Sequence, residues 1–126
     1  MSAKIAVYSP DEKILERFLE VTPEGTEVDW VNSADPDDKI VEGLSGKVAV
    51  ILAGTSDFPV HLARRCPELS LIQTVSAGTD KLDKQALGEM GIRVANNGGG
   101  NAVAVAEHTI ALMIGVYRKL HLQFRN

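Results

Sequence analysis

Lys47-Val48-Ala49-Val50-Ile51-Leu52-Ala53 is apolar at six successive positions and is closed by Gly54. A strand with one wet face alternates apolar and polar residues, whereas a run apolar on both faces belongs to a sheet covered on both sides. Upstream, Lys4-Ile5-Ala6-Val7-Tyr8-Ser9 has the same character and stops at Pro10, before Asp11 and Glu12, acidic residues suited to a helix N-terminus. Ile14, Leu15, Phe18 and Leu19 then fall on one helical stripe that ends near Thr22-Pro23. Thr26 to Val31 reads as an alternating strand, and Asp35-Pro36 opens a helix with Ile40 and Val41 facing inward. Downstream, a helix is expected over Phe58 to Arg65, a strand over Ser70 to Val75, a helix over Lys81 to Met90 and a strand over Gly91 to Ala95. Strand and helix alternate five times. Each crossover between parallel strands returns through a helix, so the pattern specifies a doubly wound α/β domain with a five-stranded parallel sheet. Ligands of such sheets sit beyond the carboxyl ends of the strands, in the loops that start at Ser9, Ala53, Val75 and Ala95.

The length, 126 residues, suits one domain, and 44% hydrophobic with 24% charged residues supplies a packed core. A formal net charge of -4 offers no electrostatic footprint for nucleic acid or an anionic membrane. No apolar run approaches the roughly 20 residues a bilayer requires, and no signal-peptide pattern precedes Lys4, so a cytoplasmic protein is expected. The lone Cys66 reads as structural.

The segment from Asn101 to about Leu120 departs from the rest. It reads as one long helix, with Asn101 as N-cap candidate and Arg118 and Lys119 in its last turn, and it is apolar around nearly its whole circumference. Such a helix needs cover on more than one side, from a second subunit or a second domain. Residues 1–100 are therefore read as the sheet domain and residues 101–126 as a crossover helix leaving it, in a chain that has the look of a fragment.

Two loops have the composition of anion sites. Val75-Ser76-Ala77-Gly78-Thr79-Asp80 follows the fourth strand, where small residues let backbone N–H groups meet a carboxylate, although Asp80 also suits a helix cap. Asn96-Asn97-Gly98-Gly99-Gly100-Asn101 follows the fifth strand and opens the long helix. It is no dinucleotide fingerprint: Gly98-Gly99-Gly100-Asn101-Ala102-Val103 has Val103 where the third glycine belongs. Glu107-His108 lacks the second histidine of a zinc helix, His61 and His121 read as isolated, and no nucleophile–base set assembles.

Leu71 to Leu120, with Ser76-Ala77-Gly78-Thr79-Asp80, then Gly91-Ile92-Arg93-Val94, then Asn101 six residues before Glu107 of Val105-Ala106-Glu107-His108, resembles the NAD(P)-dependent D-isomer-specific 2-hydroxyacid dehydrogenases. The resemblance implies a flavodoxin-like substrate-binding, or catalytic, domain of an oxidoreductase acting on a small D-2-hydroxy acid or 2-oxo acid. It implies that the long helix crosses into a nucleotide-binding domain carrying the NAD or NADP site. By position, the Ala77 and Gly78 amides would hold the substrate carboxylate, with Ser76 lining the same loop. Asn101 would face the reacting centre and Val105 the nicotinamide, while Asp80 and Glu107 would hold loop and helix in place. The family's dinucleotide loop, substrate-orienting Arg and Glu/His pair match no position here, so the chain alone is expected to be inactive and to bind no dinucleotide tightly. A homodimer formed through the helix from Asn101 is the expected assembly.

A stand-alone signalling receiver would share the size and the alternation. It requires an aspartate at the end of the third strand, where Ala53-Gly54 stands, and a lysine after the fifth, where Asn96 to Asn101 has none. A plain dimerisation module is the other alternative, compatible with the first reading.

Overall fold

A computed structural model of the chain describes residues 2–123. In chain order the elements are β1 (Ala3–Ser9), α1 (Ile14–Leu19), β2 (Thr26–Asn32), α2 (Asp37–Leu44), β3 (Ala49–Leu52), α3 (Val60–Ala63), β4 (Leu71–Thr74), α4 (Lys84–Glu89), β5 (Arg93–Ala95), α5 (Ala102–Tyr117) and α6 (Leu120–Gln123). The five strands form one sheet in the order β2-β1-β3-β4-β5, parallel at every pairing, as the apolar runs require. The central register sets Ala6 beside Val50 and Val50 beside Ile72, all three fully buried. Phe58, Leu62, Leu44 and Leu87 close over these strands. The ring of Phe58 meets that of Tyr8 edge-on at a centroid distance of 5.3 Å.

Several boundaries and contacts differ from the sequence reading. Phe58 precedes the third helix, which starts only after Pro59 and is four residues long. The fourth helix starts at Lys84, three residues late, because the Asp83 carboxylate, not that of Asp80, accepts the capping N–H, from Ala86 at 3.0 Å. The α1 stripe is only half covered, with Leu19 exposed, and in α2 the buried residues are Ile40 and Leu44, with Val41 half-buried. His61 is not isolated: its Nε2 lies 2.8 Å from Asp37 Oδ2, and this contact joins the Arg65–Asp38 pair at 2.7 Å in tying α3 to α2. Lys47, buried just before β3, is paired with Asp29 on β2, two strands away across β1.

The long helix is interrupted. At Lys119 the backbone takes a φ of 55°, in the left-handed region, so α5 stops at Tyr117 and α6 follows as a separate turn. Asn101 stands at the N-cap position, but its side chain makes no capping bond; only its carbonyl serves, accepting from Val105 N–H at 2.9 Å. Every α5 residue except Gly115 is exposed, including Val103, Ile110, Met113 and Val116, as the apolar circumference anticipates. Positions 124–126 of the expected crossover segment lie outside the described residues.

Burial pushes the Tyr8 phenol above its ordinary 10.0, helped by the charges of Asp57 and Asp37. Burial also pushes the Cys66 thiol above 9.0, with Arg65 opposing and Glu68 reinforcing. Both groups keep their protons in the folded chain at pH values where the unfolded chain has lost them, so stability must fall as pH rises from about 9. Urea midpoints measured from neutral pH to about 10.5 are expected to drop from near pH 9 in the native sequence and only from near pH 10 in Cys66→Ala. Midpoints that fall identically in both proteins would show that the thiol ionises as freely in the fold as out of it.

Candidate functional site

Because all strands are parallel, the loops that follow β1, β3, β4 and β5 gather at one edge of the sheet, and the strand order reverses direction between β1 and β3. At that point Ser9 is buried. Its Oγ accepts from Asp11 N–H at 3.1 Å, and its carbonyl accepts from the Trp30 indole at 3.1 Å and from Ser33 N–H at 3.2 Å. Gly54 turns beside it with a φ of 75°, and a side chain there would start 3.6 Å from Pro10 and from Ser9 Oγ.

The loop after β4 is held by its carbonyls. Thr74 Oγ1, fully buried, donates to the Ser76 carbonyl at 2.7 Å, and Asn97 N–H donates to the same oxygen at 3.1 Å. The Asn96 carboxamide donates to the Ala77 carbonyl at 2.7 Å, and that of Asn97 to the Val75 carbonyl at 3.4 Å. No peptide bond is cis among the described residues. In a trans peptide the N–H points opposite to the C=O, so fixing the Ser76 carbonyl aims the Ala77 N–H away from the asparagines, and fixing the Ala77 carbonyl does the same for Gly78 N–H. Both amides lie on exposed residues and have no protein acceptor among the described residues. Ser76 Oγ turns within the loop toward the Gly78 carbonyl, at 3.4 Å.

Next to this loop is an open cleft of about 480 Å³ lined by Gly54, Thr55, Ser56, Val75, Ser76 and Lys81. Of the expected site residues, Ser76, Ala77 and Gly78 thus share one ordered loop, and Ser76 also lines the cleft. Asn101 and Val105 are exposed on the start of α5, outside that lining. Asp80 stays beside the loop, its Oδ2 3.8 Å from where a Gly78 side chain would begin, and makes no hydrogen bond among the described residues.

In the second expected anion loop the Asn97 carboxamide lies close against Gly100, where an added Cβ would stand 2.8 Å from it. Asn96 and Asn97, which hold the first loop, are the residues whose part the sequence reading leaves unassigned; two adjacent carboxamides at the end of an apolar strand are its visible trace. Thr55, Ser56 and Lys81 are likewise missed, although the loop after Ala53 falls among those expected to face ligand. Among the described residues no group of three or more His, Cys, Asp or Glu side chains could hold a metal ion, and no helix is long and apolar enough to cross a membrane.

Residues 5–118 match the family model of the D-isomer specific 2-hydroxyacid dehydrogenase catalytic domain. The chain belongs to that family. It is 32% identical over 72 residues to D-3-phosphoglycerate dehydrogenase of Archaeoglobus fulgidus, an alignment covering 57% of this chain and 14% of that enzyme. It is 31% identical over 108 residues to formate dehydrogenase 1 of Saccharomyces cerevisiae, covering 82% of this chain and 28% of that one. The crystal structure of cofactor (NAD+)-bound 3-phosphoglycerate dehydrogenase of Entamoeba histolytica superposes with a TM-score of 0.70 at 27% identity, over 94% of this chain and 40% of that one. The chain therefore spans well under half the length of these relatives, and the five-stranded sheet is the catalytic-domain fold that it shares with them.

The asparagine clamp is testable without a ligand. Asn96→Ala removes one bond to the Ala77 carbonyl, worth about 1 kcal/mol. It is expected to speed hydrogen exchange at Asn97 N–H by about five- to tenfold while global stability falls by no more than about 1.5 kcal/mol. Unchanged exchange at Asn97 would show that the loop holds its shape without the side chain.

Proposed function

We propose that this chain is the substrate-binding part of an NAD(P)-linked dehydrogenase that interconverts a small D-2-hydroxy acid and its 2-oxo acid. The observation that supports the reading most directly is the pair of Ala77 and Gly78 amides, aimed outward by asparagines bonded to the opposite side of the same peptides. Two adjacent outward N–H donors can hold a carboxylate by charge-assisted hydrogen bonds, and Ser76 lines the cleft beside them. Asn101 and Val105, on the first turn of the exposed α5, would reach the reacting centre and the nicotinamide once a nucleotide-binding unit is packed against that helix.

The family reaction moves a hydride between the substrate carbon and a nicotinamide and a proton between the substrate oxygen and a base. The glycine run before α5 does not make a dinucleotide fingerprint, since Val103 occupies the third glycine position. The part proposed for this chain is accordingly the grip on the carboxylate, with no turnover by the chain alone. The unpaired, buried Cys66 suits a reducing compartment, and the cytoplasm is the one we assign.

Titration of the chain with pyruvate is expected to shift the backbone amide resonances of Ala77 and Gly78, with no oxidation of NADH. The same chain joined to a nucleotide-binding unit of the family should reduce the 2-oxo acid. If pyruvate leaves both amides unmoved, the loop is not the carboxylate site.

The α5 face supplies a second expectation. Val103, Ile110, Met113 and Val116 are each more than half exposed, a patch that soluble monomers rarely present to water, and pairing with the same helix of a second copy would cover it. Light scattering at micromolar concentration should give twice the 13.6 kDa chain mass. A monomeric mass would rule the homodimer out.

A further inference from the structure

We infer that the cleft beside the Ala77–Gly78 loop selects a substrate with a second anionic group, and that Lys81 is the residue that recognises it. The inference rests on the proposed carboxylate site and extends it to the distal end of the substrate. The groups that line the cleft are donors: the Thr55 and Ser56 hydroxyls, both half-buried, the Ser76 hydroxyl, and the Lys81 ammonium, with no carboxylate among them. Thr55 Oγ1 already accepts from Asp57 N–H at 3.3 Å, which leaves its own proton to be donated outward. Ser56 makes no side-chain hydrogen bond among the described residues.

The charge on Lys81 is uncommitted. Lys81, like Lys13, Arg17, Arg64, Arg93, Arg118 and Lys119, has neither an ion pair nor a side-chain hydrogen bond among the described residues, and of these cations it alone lines the cleft. A neutral or apolar substrate tail would displace water from this ammonium and the Thr55 and Ser56 hydroxyls without replacing its hydrogen bonds. A phosphate ester or a second carboxylate would satisfy all three. Ser76 belongs both to the cleft and to the carboxylate loop, so one small molecule can occupy both. Lys81 thus acts as a specificity residue: it has no part in the chemistry, and its contribution is to the difference in affinity between singly and doubly charged acids.

Three probes separate the possibilities in nuclear magnetic resonance titrations of the full chain: D-lactate with one charge, D-malate with two carboxylates, and 3-phospho-D-glycerate with a phosphate. All three should shift the Ala77 and Gly78 amides, and only the two polyanions should shift Thr55, Ser56 and Lys81. Lys81→Gln should reduce the preference for the polyanions over D-lactate by about tenfold, the worth of one charge-assisted bond. Preference for only one polyanion identifies the distal group as phosphate or carboxylate and supports the inference. Equal affinity for all three probes, or a preference that survives Lys81→Gln, overturns it while leaving the carboxylate site intact. If no probe moves Ala77 and Gly78, the proposed function itself fails, and shifts confined to Thr55, Ser56 and Lys81 would then describe a separate anion site and overturn the inference too.

Discussion

Parallel pairing is the constraint from which the other features descend. A strand such as β3, hydrogen-bonded to β1 on one side and β4 on the other, has apolar residues on both faces and must be covered on both, so every connection is spent on a crossover. The same geometry sends all carboxyl ends to one edge of the sheet. There the loops after β4 and β5 lie side by side and can bond to each other, and Asn96 and Asn97 do so through the carbonyls of residues 75 to 77. The outward amides of Ala77 and Gly78 are a by-product of where those carbonyls point. These amides are turned outward without the help of a helix N-terminus, since α4 begins only at Lys84.

What could be read from the sequence is what periodicity encodes. The runs at Lys4 to Ser9 and Lys47 to Ala53 carry their environment in their composition, and so the parallel sheet and its order of elements were legible. Helix ends were less so, because capping is decided by single side chains: Asp80 and Asp83 are equivalent in one dimension, and only the fold shows that Asp83 reaches Ala86 N–H. The loop after β4 was legible as a stretch of small residues, and the family resemblance pointed to the same residues. The clamp that orients it was not, since Asn96 lies 19 residues from the Ala77 carbonyl it holds. The His61–Asp37 contact bridges 24 residues and was equally invisible, which is why that histidine read as isolated.

The helix α5 divides the molecule into two regimes. The sheet and its helices bury their apolar residues among themselves, whereas α5, the longest helix, carries a largely apolar sequence on a surface open all round. The left-handed turn at Lys119 ends the helix soon after that apolar segment has passed.

The contact between Trp30 and Ser9 has a practical side. The chain has one tryptophan, on the edge strand β2, and its indole N–H is committed to the carbonyl of the residue where β1 ends and the ligand-facing edge begins. Indole emission depends on the hydrogen bonding and polarity around the ring, so this single chromophore is a built-in optical gauge of that edge. Its spectrum would register any rearrangement of the first loop with no label attached.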